Sequence, residues 1–215
     1  MSALVWDQAG EHLYETGVSK AVLYPYSDGA YGTGVAWNGV TAVNENPSGA
    51  EANAFYADNI KYLNLLSTEE FEFTIEAYTY PDEFAECDGS IAVGTGVYIG
   101  QQPRKTFGFS YQTKVGNDED NDDYGYKIHI VYGCLAAPSG KEYSTINDSP
   151  EPTTMSWDVT TTPVEVTGYK PTASIVIDST TVDSTVLSSI EDLLYGTSSA
   201  EPSIPTPDTL IGLLS

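Results

Sequence analysis

The chain has 215 residues, of which 31 are acidic and 8 basic, for a formal charge of −23. That length suits one domain with appendages, and a composition 40% hydrophobic and 12% aromatic can fill a core. With Arg104 as its lone arginine, the chain cannot supply the phosphate-neutralising contacts that drive nucleic-acid binding. Its field repels DNA, RNA and anionic membrane.

The opening MSALVWDQAG reaches Asp7 and Gly10 too early for an export signal, and no long apolar run offers a membrane span. No membrane insertion is therefore expected, and Cys87 and Cys134 are expected to be free and buried. Sixteen tyrosines suit either half-buried strands or protein interfaces, where one end is dry and the other wet.

In chain order, VLY is a first strand, followed by turns at Ser27-Asp28-Gly29 and Asn38-Gly39. Asn-Gly tolerates positive φ at both central positions, which predicts a hairpin there. NENPSGAEAN (44–53) reads as a polar loop that orders on contact, and FYADNIKYLNLL resumes apolar content. The clearest strand is FEFTIEAY (71–78): Phe71, Phe73, Ile75 and Ala77 share one face, Glu72, Thr74, Glu76 and Tyr78 the other. Pro81, first-turn acids and Gly89 predict a short helix over 80–89.

KTFGFSYQTK and YGYKIHIVYG alternate as a strand pair, with the acidic NDEDNDDYG (117–125) at their tip. KEYSTI and TMSWDVTT are expected to form a hairpin around NDSPEP, and TASIVI (172–177) is the last strand. Residues 182–196 carry a helical stripe of Val182, Val186, Ile190, Leu193 and Leu194, stopped by Gly196. The expected division is a β domain over 1–196 and a Pro/Ser linker with an apolar arm over 197–215. The arm carries Leu210, Ile211, Leu213 and Leu214, and is expected to dock on its own or a neighbouring subunit. The fold class is mainly β, an antiparallel sandwich or barrel with one short helix and one C-terminal helix.

Motifs for chemistry fail on their own spacing. A calcium loop begun at Asp118 has Asp123 where glycine is needed and His129 where glutamate is needed; one begun at Asp120 has Tyr124 and Val131 at required acid positions. No Cys or His pair has zinc spacing. Ser110 lacks the second glycine of a nucleophile elbow, and GTGVYIG (94–100) lacks the strand–turn–helix setting of a phosphate loop. Glu72 and Glu76 point the same way on one strand, not across a cleft. The expectation is a protein that is no enzyme, with no cofactor and no metal. What remains is shape: sheet edges, which monomers blunt with lysine or proline, on a chain with few lysines. Copies of the chain could cover those edges, as could its own loops and helices.

Long ordered stretches carry a resemblance: VSKAVLYPYSDGAYGTGVAWNGVTAVNENPSGAEANAFYADNIKYL, EFTIEAYTYPDEFAECDGS, GQQPRKTFGFSYQTKVGND, GYKIHIVYGCLAAPSGKEYSTINDSPEP and TTPVEVTGYKPTASIVIDS. From Val18 to Leu214 the chain resembles the major tail (tail tube) proteins of long, flexible-tailed phages of Gram-positive bacteria. The resemblance implies a β-sandwich-like domain assembled as stacked hexameric rings, with loops and terminal arms reaching between neighbours and DNA passing through the lumen. It implies a virion protein assembled in the host cytoplasm. Implied partners are its own copies, a tape measure protein, a tail terminator and distal tail or baseplate proteins. On this reading Glu72, Thr74 and Glu76 face the channel or, on the alternative, the outer wall. Ring-to-ring contact is expected from the loop carrying Asn44, Glu45, Asn46, Pro47, Ser48, Gly49 and Glu51. The acidic tip (Asp118, Glu119, Asp120, Asp122, Asp123) is the second candidate, with Arg104, Lys105, Lys114 and Lys127 available to meet it. The rival reading is a secreted adhesin or carbohydrate-binding module that stacks sugars on Trp6, Trp37 and Trp157.

Overall fold

The computed structural model describes residues 3–146, 148–149 and 151–214. The elements run β1 (Tyr14–Ser27), β2 (Ala30–Tyr31), β3 (Val35–Ala36), β4 (Val40–Glu45), β5 (Ala52–Ala57), β6 (Ile60–Leu66), β7 (Glu72–Ala77), a 3-10 turn (Asp82–Glu86), β8 (Ile91–Gly94), β9 (Val97–Ile99), β10 (Phe107–Asn117), β11 (Asn121–Ala136), β12 (Met155–Thr161), β13 (Ser174–Asp178), α1 (Ser184–Tyr195) and α2 (Pro207–Leu213). The protein is mainly β with flanking helices, as the strand periodicities predict.

The principal sheet is antiparallel, in the order β2-β1-β10-β11-β12-β7-β4, with β13 on β11 and β3 on β1. Strand β11 serves two partners along one edge: residues 127–131 pair β13, and Cys134–Ala136 pair β12. Gly133 separates the two stretches at φ +60°, where a Cβ would stand 2.3 Å from the Thr162 carbonyl oxygen. Only glycine fits that bulge. The far strands β1 and β4 lie against each other, so the sheet curls towards a barrel.

Alternation then sorts side chains into two cores. Leu23, Phe73, Ile75, Phe107, Phe109, Val131 and Trp157 fill the barrel. Val22, Tyr24, Ile128, Ile130 and Tyr132 point outward and meet Ile190 and Leu194 of α1, Ile204, and Leu210 of α2. Gly108 makes room for this second layer, because a Cβ there would come within 2.8 Å of Ile204 Cδ1. Tyr24 donates to the Leu194 carbonyl at 2.8 Å and Tyr132 to the Pro205 carbonyl at 2.9 Å, pinning the helices by buried hydroxyls. Asp183 caps α1 by accepting from Thr185 and Val186, and Thr206 caps α2 with Pro207 in its first turn. The segment after Gly196 is thus part of the helical layer, and Leu210 docks on its own subunit. Leu214 remains 60% exposed.

Three local expectations differ from what is found. Asn38-Gly39 makes a turn, but β3 pairs β1 while β4 pairs β7. The chain crosses between strands there because Trp37 is pulled into the barrel core, its Nε1 donating to the Thr79 carbonyl. Residues 141–146 form no strand, and β12 pairs β7 and β11 instead. Lys141 draws that segment away by donating to Asp88, and the turn between, with Asn147 and Pro150, lies partly outside the described residues. The helix over 80–89 shrinks to the 3-10 turn, closed at Gly89 with φ +77°.

Candidate assembly surfaces

The amphipathic strand β7 buries Phe73, Ile75 and Ala77 and turns Glu72, Thr74 and Glu76 outward. Register places Thr74 beside Asn44 and Asp158, and Glu76 beside Ala42 and Ser156. Thr74 donates to Asp158 at 2.9 Å and Asn44 to Glu76 at 3.4 Å. Helices cover the outer side of β11 and β13, while the outer side of β4, β7 and β12 carries Glu72, Glu76 and Asp158. No Lys or Arg occurs in these three strands.

The barrel mouth is polar. Glu45 pairs opposite Phe73, so its side chain turns inward and accepts from Tyr111 at 2.5 Å. This inward direction sets it apart from the loop contact expected of it. His129 stacks on Tyr111 with ring centroids 4.5 Å apart, its Nδ1 3.5 Å from Glu45 and its Nε2 3.4 Å from Glu15. The imidazole holds the Glu45 carboxyl below the usual range, against the pull of burial, and Tyr111 helps. Burial works to raise Glu15, but bonds from Lys127 and Thr113 bring it below its ordinary value.

The acidic turn has a definite tenant. Asp118 accepts from the backbone N–H of Gly10 (3.0 Å) and of His12 (3.3 Å), and lies 3.0 Å from His12 Nδ1. Asn117 donates to the Gly10 carbonyl and accepts from the N–H of Glu119 and Asp120. The turn therefore clasps the N-terminal arm, leaving Leu4, Val5 and Trp6 exposed. No periodicity or motif in the sequence links residues 10–12 to 117–118.

Of the cations expected to meet this turn, Lys114 does so within the chain, on Asp122, and the others are engaged elsewhere. Lys114 pairs with Asp122, Lys127 with Glu15 at 2.7 Å, and Lys105 with Glu86. Arg104 sits 3.5 Å from Asp88 and donates to the Ala136 carbonyl. Asp88 also accepts from Lys141 and from Trp157 Nε1, forming a half-buried network beside the core. Lys20 lies 3.8 Å from Glu191. Among the described residues, Lys61 and Lys170 alone of the 8 cations have no carboxylate partner.

The loop expected at 44–53 is the neck of a projecting hairpin. Ser48 and Glu70 exchange backbone bonds, and the Glu51 N–H donates to Ser67 Oγ. Gly49, at φ +85°, has the Thr68 carbonyl oxygen 2.1 Å from where a Cβ would stand. Asn46 donates its N–H to the Glu72 carbonyl, and Pro47 precedes the bridge. Beyond the neck, β5 and β6 pair around Asp58-Asn59, both at positive φ. Every residue of both strands is exposed, including Phe55, Tyr56, Ile60, Tyr62, Leu63, Leu65 and Leu66. A second exposed hairpin, β8–β9, carries Ile91, Val93, Val97, Tyr98 and Ile99. Isolated two-strand hairpins are marginal in water, and apolar patches of this kind mark interaction surfaces.

Of the tryptophans, Trp37 and Trp157 are buried in the barrel and cannot stack a sugar, while Trp6 is 71% exposed. Cys87 and Cys134 are free and buried, and burial pushes the Cys87 thiol up to about 12. No group of three or more His, Cys, Asp or Glu able to hold a metal occurs among the described residues. No helix there is long and apolar enough to cross a membrane.

Among known proteins, no family model and no curated protein matches the chain. A solved structure described as the anti-feeding prophage baseplate, 6-fold symmetrised, contains a chain that superposes with a TM-score of 0.37. The match has 6% identity and covers 81% of this chain and 97% of that one. So distant a likeness carries no function, and the functional reading rests on this chain's own residues.

Proposed function

We propose that this chain is a structural virion protein, a tail tube subunit that assembles as stacked hexameric rings around a DNA conduit. The observation that carries the reading is the outer face of β4, β7 and β12, half-buried to exposed, acidic and with no Lys or Arg on its strands. A conduit must not hold its cargo, because each phosphate contact would add affinity and slow passage. Carboxylates at Glu72, Glu76 and Asp158 repel a strand over about 8 Å in physiological salt. The ordered sequence resemblance from Val18 to Leu214 supports the same reading, as do two exposed apolar hairpins that a lone subunit leaves uncovered. On this reading the β5–β6 hairpin reaches between rings. The other proposed partners are a tape measure protein, a tail terminator and distal tail or baseplate proteins.

Negative-stain imaging of the purified protein, alone and with the distal tail complex as nucleus, should show hollow rings or tubes. A monomer under both conditions would overturn the reading. In assembled particles, Glu72→Lys with Glu76→Lys should slow DNA ejection and leave tube assembly intact. Unchanged ejection kinetics would remove these two residues from the channel wall.

A further inference from the structure

Strand β7 has a hairpin at each end. The β5–β6 hairpin enters β7 through residues 67–71, at the Glu72 end. The β8–β9 hairpin follows the Ala77 end by way of the 3-10 turn. Along the chain the two hairpins are separated by the six residues of β7, roughly 20 Å of strand, and by residues 78–90. Both hairpins expose apolar side chains, and neither shares a sheet with the barrel.

Their charges differ in kind. Lys61 lies two residues past the β5–β6 turn, opposite Tyr56, and has no carboxylate partner among the described residues. The β8–β9 hairpin carries no charge, but a groove at its base is lined by Ala92 and Tyr98 together with Asp82 and Glu83. Asp82 and Glu83 are exposed and lack a cation among the described residues, whereas Glu86 beside them is taken by Lys105. One end of β7 thus offers an apolar finger with a spare cation, and the other a groove of mixed lining with two spare carboxylates.

We infer that the β5–β6 hairpin of one copy seats in the β8–β9 groove of a second copy, with Lys61 meeting Asp82 and Glu83. This rests on the tube reading and names the pairing within it. Donor and acceptor surfaces on opposite ends of one strand make a heterologous contact, which closes into a ring or, running from ring to ring, repeats along a filament. Copies of a chain at −23 repel one another, so the unpaired cation also fixes which surfaces can meet.

The test is a charge exchange read by tube length in negative stain and by sedimentation, with circular dichroism confirming each fold. Lys61→Glu alone and Asp82→Lys with Glu83→Lys alone should each reduce tube mass at least tenfold. All three substitutions together should restore it. Wild-type tubes with an unaffected Lys61→Glu variant, or loss without rescue, would overturn the pairing and leave the tube reading standing. A wild type that forms no tube under nucleating conditions would overturn both.

Discussion

Strands β6 and β7 differ less in composition than in fate. IKYLNLL is richer in apolar residues than EFTIEA, yet all of β6 is exposed while β7 buries Phe73, Ile75 and Ala77. The difference lies in neighbours. β7 sits between β4 and β12 over a core of Phe109 and Trp157, whereas β6 has only β5. Apolar content therefore marks what a strand will bury, while topology decides whether its own chain supplies the cover. In β6 the chain supplies only β5, and on the proposed function another copy supplies the rest of the cover.

The sharpest way to break that contrast is to damage both kinds of surface. Trp157→Ala, deep in the barrel, should cost about 3–5 kcal/mol in urea unfolding. Leu63→Ser with Leu65→Ser should change monomer stability by only about 0.5 kcal/mol while abolishing tubes. A large stability loss from the hairpin pair would mean that the chain covers β6 itself.

A smaller effect separates the barrel mouth from the surface. Glu45 has a depressed carboxyl in the fold, so its contribution is present above the ordinary carboxylate value of about 4.3 and is lost as pH falls through the folded one. Around it stand His129, Glu15, Lys127 and Tyr111. The urea midpoint should fall as pH drops below about 4, and Glu45→Gln should flatten that fall. An unchanged slope would assign the acid sensitivity elsewhere.

The smallest effect belongs to the arm. Asp118 is likewise depressed, first by His12, so its clasp holds at neutral pH and is lost in acid. Asp118→Asn should speed hydrogen exchange at the Gly10 and His12 amides and leave the barrel amides unchanged. Protection that survives the substitution would mean that Asn117 alone secures the arm.

Much of the barrel was legible residue by residue. The alternation in 71–78, the strand pair within 105–114 and 124–133 and the α1 stripe all follow from side-chain period, because each is decided by neighbours along the chain. Less legible were the partners. An Asn-Gly turn predicts a reversal, but Trp37 seeking the core turned it into a crossing. Asp58-Asn59 signals a hairpin more weakly than Asn-Gly does, so β5–β6 went unread inside its apolar run. Of the lysines expected to meet the acidic turn, Lys114 reaches Asp122 but Lys127 goes to Glu15, since such an ion pair joins residues 112 positions apart.

By itself the sequence determined the mainly β class, the amphipathic face of Glu72, Thr74 and Glu76, the stop of α1 at Gly196 and the repulsion of phosphate, all of which follow from local periodicity, a backbone preference or summed charge. Only the tertiary structure decided that Glu45 turns inward, that the acidic turn holds the N-terminal arm, and that Lys61 has no carboxylate partner among the described residues. Those depend on which distant strands lie side by side, and pairing of that kind is set by closure of the whole sheet.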